Sequence, residues 1–471
     1  MDTGPALLSR SQSPSLSSQP GGQPGLSSSK HTTTKHPLPW FSESYFSNEP
    51  ATAAARKVYI VILTSRGILL ILFIFSVLSI YWGALWQTPT HVYNLNGWVV
   101  DFDGGEVGQF VSRAVVASSG SPTAITWNAV STELFPNGTH DLEDAVVQEK
   151  AWVIIAISPN ATETLNTAVI VADNTYISNR TVSVYTAEAR SENAYRMVVH
   201  PNVGVNTLLD GITEAFNAQY ITGVPRKSPN LTTLLVNAPM LVSQPISYTI
   251  INARPFDVPV ATAVDFVGLI YLLILSFVVA MAHYVARVDA THLEDRLTFE
   301  WLIVIRIVNP VIMYFFISCF YSLLSVAFQV PFNRYYGSSG FVIYWMMSWL
   351  AMCALGGAVE SMMTILTPRF IPFFLLLWII VNVSVCIFPP TLLPGVYHYG
   401  YATPFYNVQR TVRAIIFGTR NQIGLNFGVQ IAWTFLSWCT LILFQYIKRR
   451  QSIRAYEVMV GTTIEPKSDE P

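Results

Sequence analysis

A pair of aspartates, Asp101 and Asp103, belongs to the string DFDGG, which has the residue types of a cation site. The pair follows a predicted strand and precedes a predicted helix, so both carboxylates point to one side and the glycines allow a tight turn. Such a pair could bind Ca²⁺, or a divalent ion that carries a nucleotide sugar in a lumenal transferase. The alternative is a strand-to-helix turn in which Asp103 caps a helix near Glu106. The turn is preferred, because two carboxylates form a short and common pattern.

Three ionisable residues, Asp265, Arg306 and Glu360, interrupt stretches that are otherwise apolar. Such groups cost about 2.5 to 3.5 kcal/mol on insertion scales, so they face protein or water rather than lipid. Arg306 and Glu360 are predicted on the same side of the membrane, where an ion pair would anchor the helices. The alternative makes Glu360 a proton-coupling carboxylate. Asp265 lies near the opposite side, which favours capping or interfacial solvation over a substrate contact.

Other residue patterns exclude several kinds of chemistry. A phosphate-binding loop GxxxxGK[ST] requires a Gly-Lys pair, and the sequence contains none, so a complete ABC transporter is excluded. The four cysteines lie within apolar stretches and form no CxxC pattern. Beyond the aspartate pair we therefore predict no metal site, no catalytic residue, no bound cofactor and no enzymatic activity. The net charge of -1 leaves no basic face for nucleic acid.

The elements that carry these residues are apolar stretches long enough to cross a membrane. Hydrophobic residues make up 51% of the chain and charged residues only 12%, which indicates an integral membrane protein. A membrane-spanning helix needs about 20 apolar residues. Six stretches meet this length and predict an α-helical polytopic protein with six transmembrane helices: 67–86, 262–285, 302–328, 341–363, 370–388 and 427–447.

Four N-glycosylation sequons lie between the first two predicted spans, at Asn137, Asn160, Asn179 and Asn230. The acceptor asparagine is modified only on the lumenal side of a secretory membrane. Residues 88–261 are therefore predicted to form one extracytoplasmic domain.

Within residues 88–261, short apolar strands alternate with segments of helical periodicity. This alternation predicts an α/β or α+β domain. The predicted strands are 98–102, 151–158, 181–187 and 246–252, and the predicted helices are 106–118, 161–172 and 206–220.

Basic residues flank the first and last spans, which predicts that both termini are cytoplasmic. Residues 1–55 are rich in Ser, Pro, Gly and Thr and are predicted to be disordered. Residues 448–471 form the other cytoplasmic tail. The plasma membrane is the preferred final location, with an endomembrane of the secretory pathway as the alternative.

One segment conflicts with this topology. Arg410, Arg413 and Arg420 follow the fifth predicted span, on the side that the positive-inside rule disfavours. Apolar and basic residues recur at helical spacing around them, as in an interfacial helix. We therefore predict that part of 391–426 lies along the membrane surface or re-enters the membrane. This segment belongs to the predicted five-helix membrane domain, residues 262–447.

Several strings occur in the same order as in the fungal nitrosoguanidine-resistance family of multispan membrane proteins: YWGALW from Tyr81, VVDFDGG from Val99, PVATAVDFVG from Pro259, FYSLLSVAFQVPF from Phe320, LTPRFIP from Leu366 and YGYATPFYN from Tyr399. The chain resembles this family over about residues 55–450. The family is similar in layout to the membrane half of type-2 ABC exporters and to phage-infection-protein relatives. The resemblance implies tolerance of toxic compounds, commonly supposed to be export, with no established substrate or catalytic residue.

The leading hypothesis is therefore a contribution to resistance by export of xenobiotics or lipids. Its partners would be the lipid bilayer, small toxic organic compounds or lipids as substrates, and a separate ATPase subunit or a second copy of the chain. An ion gradient could supply the energy instead. One alternative is a non-transporting organiser of membrane composition or signalling complexes, with the Ser-rich tail as a phosphorylated docking arm. Another is a lumenal metal-dependent transferase that uses Asp101 and Asp103.

Overall fold

The computed structural model describes residues 43–199, 204–227 and 230–463, with side chains up to residue 457. Among these residues, five helices are long and apolar enough to cross a membrane. The protein is therefore a polytopic membrane protein. The five helices are Pro50–Leu85, Pro259–Ala290, Phe299–Ala327, Ser339–Ile365 and Ile423–Glu457.

The stretch 370–388, predicted as the fifth of six spans, is only partly helical. Its helix, Ile371–Val383, has 13 residues, which at 1.5 Å per residue reach about 20 Å, less than the ~30 Å of the hydrocarbon layer. Apolar residues continue to Phe388, but the helix ends at Val383, and Pro389 and Pro390 exclude a helix that continues past Phe388. Hydropathy shows how long the apolar stretch is, but it does not show how much of that stretch is helical. Among the described residues the long helices thus number five, and the predicted fifth span of six is represented by this shorter helix.

After this short helix the chain runs through two 3₁₀ segments, Pro390–Leu392 and Gly395–Ala402, into the helix Pro404–Phe417. Pro404 stands at the first helical position, where a missing N–H costs nothing. Gly418, with φ of 65°, ends the helix in the left-handed conformation. Most side chains of this helix are buried, and it packs between the helices Ser339–Ile365 and Ile423–Thr463. We call residues 371–417 the broken segment.

The domain between the first two long helices contains a five-stranded mixed sheet in the order β2-β1-β3-β4-β5. The strands are β1 Asn96–Asp101, β2 Thr126–Val130, β3 Val153–Ile157, β4 Val182–Thr186 and β5 Tyr248–Asn252. Neighbouring strands are parallel except β3 and β4, which are antiparallel. Four of the strands lie where the sequence predicts them. The edge strand β2 was missed because only one of its residues, Trp127, is fully buried, so its sequence lacks a clear apolar pattern.

Helices cover both faces of this sheet, which makes it an α/β domain. The predicted helices correspond to Glu106–Ala117, Ala161–Val171 and Val205–Lys227. Successive residues of a strand point to opposite faces, so Val99, Ile155 and Val184 pack into one core while Val100, Ile154 and Tyr185 pack into another. The helices that the sequence did not predict are Thr139–Val147, Glu192–Val199, Leu231–Asn237 and Met240–Ser243.

The first long helix begins before its predicted span, and the last long helix ends after its predicted span. The chain divides into two compact units between Ile68 and Leu69. In the first unit the helix begins at Pro50, so residues 50–55 are helical rather than disordered; proline at the helix start and four alanines favour this. Residues 1–42 of the predicted tail lie outside the described residues. At the other end, the helix continues from the predicted span to Thr463.

Candidate functional site

The aspartates of the DFDGG string form a hydrogen-bonded turn. Asp101 Oδ1 accepts bonds from the backbone N–H groups of Asp103 and Gly104, at 3.0 and 2.9 Å. Asp103 Oδ2 accepts from the N–H of Gly108 at 3.0 Å, inside the first turn of the next helix. Asp103 thus satisfies an N–H group of the first helical turn, although Gly105 and not Asp103 occupies the N-cap position.

A further contact ties Asp103 to the helix Ala161–Val171. The Thr162 hydroxyl donates to Asp103 Oδ2 at 2.6 Å, and the Thr162 N–H donates to Oδ1 at 2.9 Å. Partial burial alone would raise the pKa of Asp103, but these bonds and those from Gly108 and Gly105 hold it below its ordinary value. The lone pairs of Asp103 are thus directed at protein donors. No group of three or more His, Cys, Asp or Glu with metal-site spacing occurs among the described residues.

The four sequon asparagines all have exposed side chains. Asn137 and Asn160 adjoin helix starts, Asn179 lies in the 3₁₀ segment Ser178–Arg180, and Asn230 caps the helix Leu231–Asn237. Asn382, in the apolar stretch, differs: it is fully buried and donates to the Trp378 carbonyl. The geometry leaves the four predicted acceptors accessible, and their modification stays a prediction.

The structure brings Arg306 and Glu360 together. Arg306 Nη2 lies 2.7 Å from Glu360 Oε1, and both side chains are almost fully buried. The remaining donors of Arg306 are also engaged: Nη1 with Gln445 Oε1 at 2.6 Å, and Nη2 with Thr364 Oγ1 at 2.9 Å. Every nitrogen of this guanidinium therefore has a partner.

Further charges extend this pair across four long helices. Arg287 Nη1 donates to Glu360 Oε1 at 3.0 Å, and Arg287 Nε donates to Glu294 Oε2 at 3.1 Å. Lys448 Nζ lies 3.5 Å from Glu294 Oε1. These residues, with Arg306, form what we call the buried charge cluster. A buried charge without an oppositely charged partner costs a large desolvation free energy. The cluster therefore fixes the relative positions of the helices that contribute its residues.

The buried charge cluster has little free space. A cavity of about 10 Å³ lies beside Arg306, Tyr314 and Glu360, which is roughly what a single water requires. Glu360 Oε2 accepts no hydrogen bond from any residue that the structure describes. The one unmatched atom next to this space is thus an acceptor, which a water can satisfy.

A second set of charges lies where the α/β domain meets the membrane helices. Asp265, at the start of the helix Pro259–Ala290, is buried and forms an ion pair with Arg413, with 2.7 Å between Oδ2 and Nε. The expectation that Asp265 is solvated or caps its helix is therefore wrong. Its partner is distant in the sequence and comes close only because the helix Pro404–Phe417 is enclosed by its neighbours. Arg413 Nη1 also donates to the Arg190 carbonyl at 2.9 Å, which links this helix to the α/β domain.

Glu149 of the α/β domain faces three more arginines. Its Oε1 lies 2.8 Å from Arg410 Nη1 and 3.7 Å from Arg190 Nε, and its Oε2 lies 3.8 Å from Arg420 Nη1. Burial alone would raise the pKa of Glu149, but Arg190 and Arg410 hold it below its ordinary value. Burial also lowers the pKa of Arg190 to about 10, against the attraction of Glu149. Both groups are charged at neutral pH.

Glu149, Arg190, Arg410 and Arg413 line a cavity of about 80 Å³, which we call the junction cavity. Arg190 stacks on Trp152, with its guanidinium carbon 3.6 Å from the ring centre. Gln409 Nε2 donates to the Cys386 carbonyl at 3.1 Å, which holds two parts of the broken segment together. The residues that line the cavity are Glu149, Trp152, Arg190, Ser191, Cys386, Phe388, Pro389, Thr391, Tyr401, Tyr406, Gln409, Arg410 and Arg413.

The sequence pointed to part of this site. Arg410, Arg413 and Arg420 were noticed as basic residues on the wrong side of a membrane, and buried carboxylates resolve that conflict. Glu149 and Arg190 were missed, since nothing local distinguishes them from surface charges. The sequence does contain one signal: several arginines occur in an apolar region that has few carboxylates. Buried arginines need carboxylate partners, so these partners had to come from another part of the chain.

Comparisons with known proteins identify a family and a membrane-protein relative. A family model described as "Protein of unknown function (DUF3533)" matches residues 66–439. An uncharacterized endoplasmic reticulum membrane protein of Saccharomyces cerevisiae is 28% identical over 460 residues, which cover 89% of this chain and 86% of that protein. No solved structure matches the chain. The matched range contains the whole junction cavity and, from the buried charge cluster, Arg287, Glu294, Arg306 and Glu360.

Proposed function

The chain belongs to the DUF3533 family, and we propose that it moves lipids or lipophilic toxic compounds across or between the leaflets of its membrane, and so contributes to resistance. The narrower resemblance to the fungal nitrosoguanidine-resistance family is consistent with this proposal. The proposal of transport presupposes the polytopic membrane architecture. The observation that supports transport most directly is the broken segment.

Backbone that is not helical leaves polar groups unsatisfied, so at membrane depth it is tolerated only inside protein or beside a polar cavity. Residues 384–403 form only turns and short 3₁₀ segments, between the helices Ile371–Val383 and Pro404–Phe417. The junction cavity is lined by the break itself, at Cys386, and by the helix that follows it, at Arg410. Discontinuous helices around a polar site are the arrangement by which many transporters bind their substrates. Here the polar site lies at the end of the bundle that meets the α/β domain. We propose that residues 391–426 re-enter the membrane for this reason.

The proposed protein is a transporter without an ATPase site of its own, and not an enzyme. Energy would come from a separate ATPase subunit or from an ion gradient. We assign the buried charge cluster an anchoring role rather than proton coupling, because Arg306 and Arg287 both hold Glu360 Oε1. A carboxylate that two guanidinium groups contact is poorly placed to exchange a proton.

Transport is tested in two steps. Cells that lack the gene are compared with cells that carry it for sensitivity to a panel of labelled toxic compounds and for efflux of each compound. The purified protein is then reconstituted in liposomes, with and without a proton gradient, and movement of the labelled compounds and of a fluorescent phospholipid is followed. We expect slower efflux in the deletion strain and faster movement in the protein-containing liposomes. Unchanged efflux together with unchanged movement would remove transport from consideration.

We also propose that the α/β domain is lumenal, that both termini are cytoplasmic, and that the endoplasmic reticulum is a residence to test first, as the yeast relative's name suggests. The exposed acceptors Asn137, Asn160, Asn179 and Asn230 provide the test. Removal of N-glycans should increase electrophoretic mobility, and replacing the four asparagines together by glutamine should abolish the shift. An unmodified protein whose α/β domain is digested by protease in sealed microsomes would overturn this orientation.

A further inference from the structure

The junction cavity contains more positive than negative charge. Three guanidinium groups line it, from Arg190, Arg410 and Arg413, against the carboxylate of Glu149. Outside the lining, Asp265 pairs with Arg413, and the partly exposed Arg420 approaches Glu149. Asp265 is taken by Arg413 at 2.7 Å. Among the described residues, Glu149 is the carboxylate that the other three arginines share, beside neutral partners at Ala151 and Gln422. Two of these arginines, Arg190 and Arg420, lie 3.7 and 3.8 Å from it, beyond the usual length of a charge-assisted hydrogen bond.

Two donors at this cavity have no partner among the residues that the structure describes. Arg410 Nε is buried and donates to none of them, and neither does the buried hydroxyl of Thr391. Both residues line the junction cavity. A buried donor that lacks an acceptor costs free energy, so an acceptor supplied by a ligand would be favourable.

The shape and chemistry of the cavity fit a small oxyanion. A volume of about 80 Å³ is several times the roughly 10 to 15 Å³ that one water needs by the same measure. Guanidinium groups bind phosphate and carboxylate oxygens in pairs, and Arg190 is held in place by its stacking on Trp152. A phosphate group has enough oxygens and enough charge to engage several arginines at once.

We infer that the junction cavity binds a phosphate-type anion, either the headgroup of an anionic phospholipid or a free phosphate. This inference deepens the proposed function, on which it rests, because it names the class of substrate that the site would take. Arg190, Arg410 and Thr391 hold the anion, while Glu149 competes with it for the same arginines. The site is distinct from the buried charge cluster, where all nitrogens of Arg306 are already engaged.

The test measures binding directly, on the full-length protein. Purified protein in phosphate-free buffer is titrated with inorganic phosphate, and in a parallel arm it is placed in nanodiscs of phosphatidylcholine with and without phosphatidic acid. Thermal unfolding is followed in both arms, since a ligand that binds only the folded state raises the unfolding temperature. Stabilisation by inorganic phosphate supports a free-anion site, and stabilisation by phosphatidic acid alone supports a headgroup site. Stabilisation by neither would overturn the inference.

Variants separate this site from general charge effects. Arg410→Gln should weaken binding about tenfold or more, the loss expected for a charge-assisted hydrogen bond. Arg113→Gln, which replaces an exposed arginine of the α/β domain whose hydrogen bond within the described residues is to Gln109, is the control and should bind as the wild type does. Equal binding by both variants would exclude the assigned cavity.

A variant with the opposite effect guards against a loss that merely reflects poor folding. Glu149→Gln removes the competing carboxylate, so it should bind phosphate or phosphatidic acid severalfold more tightly than the wild type. Weaker binding by Glu149→Gln would contradict the proposed competition. Binding and transport are read separately: intact binding without movement of any compound in liposomes refutes transport, whereas movement without binding refutes the anion site alone.

Discussion

The buried charge cluster and the junction cavity both combine arginines with glutamates. They differ in which kind of polar atom lacks a hydrogen-bond partner among the residues that the structure describes. In the buried charge cluster the unmatched atom is an acceptor, Glu360 Oε2, beside a cavity of about 10 Å³. At the junction the unmatched atoms are donors, Arg410 Nε and the Thr391 hydroxyl, beside a cavity of about 80 Å³. An acceptor with space for one water suits a structural anchor, and donors around a larger space suit a site for an anion.

The strongest test of the anchor is the removal of one buried partner. Arg306→Met should lower the free energy of unfolding by about 3 to 5 kcal/mol, because Glu360 would stay buried with less compensation. Thermal unfolding of the detergent-purified protein measures the effect. Lys448→Met is the control: this side chain is 43% exposed, so its loss should cost about 1 kcal/mol or less. Similar losses for the two variants would contradict an anchoring role.

At the junction, the removal of Glu149 should give a somewhat smaller loss that an anion can reverse. In phosphate-free buffer, Glu149→Gln should be destabilised by about 2 to 4 kcal/mol, since the buried arginines lose a shared counter-ion. Added phosphate should restore most of this stability. Glu106→Gln serves as the control, because Glu106 pairs with Lys227 at an exposed position and should show neither effect. A loss that phosphate leaves unchanged would count against the anion site.

The pH dependence of this loss follows from the pKa of Glu149, which lies below its ordinary value in the folded protein. The stabilisation by Glu149 should be complete above the unfolded value of about 4.3. It should disappear as pH falls through the lower folded-state pKa. The stability difference between wild type and Glu149→Gln should therefore shrink in acid, and a constant difference would show that charge is not its cause.

The two regions also differ in how far the sequence predicts them. Arg306 and Glu360 stand out because each interrupts an apolar stretch, and their predicted sides of the membrane coincide, so a pair could be proposed from the sequence. The junction needs Asp265, Glu149 and Arg413 together, which lie in three separate elements. Their meeting depends on the break after Val383, and hydropathy cannot detect a break within a continuous apolar run.

The sheet of the α/β domain shows the same limit. β3, with five buried residues, could be recognised from its composition alone. β2 alternates weakly and depends on β1 for its position, so only the assembled sheet defines it. The local sequence pattern thus predicts strands whose residues are mostly buried, such as β3. A strand with few buried residues, such as β2, is defined only by its pairing with a neighbouring strand.

Close packing beside the buried charge cluster provides a further contrast. A Cβ added at Gly356 would lie 2.2 Å from the Tyr314 hydroxyl and 3.0 Å from Ser276 Cβ. Gly356→Ala should therefore cost about 1 to 3 kcal/mol in unfolding free energy. Gly211→Ala is the control, because a Cβ there meets nothing within 4 Å and alanine favours the helix by about 1 kcal/mol. If Gly356→Ala were as stable as Gly211→Ala, the packing around the cluster would be looser than the structure has it.

The smallest effect should come from a threonine pair that distinguishes the two regions. Thr391 donates to none of the described residues, so Thr391→Val, which keeps the side-chain shape, should change the unfolding free energy by less than about 0.5 kcal/mol without anion. Thr364 accepts a bond from Arg306 at 2.9 Å, so Thr364→Val should cost about 1 to 3 kcal/mol. With phosphate present, Thr391→Val should gain less stability than the wild type does. An equal gain would show that this hydroxyl does not contact the anion and would limit the site to its arginines.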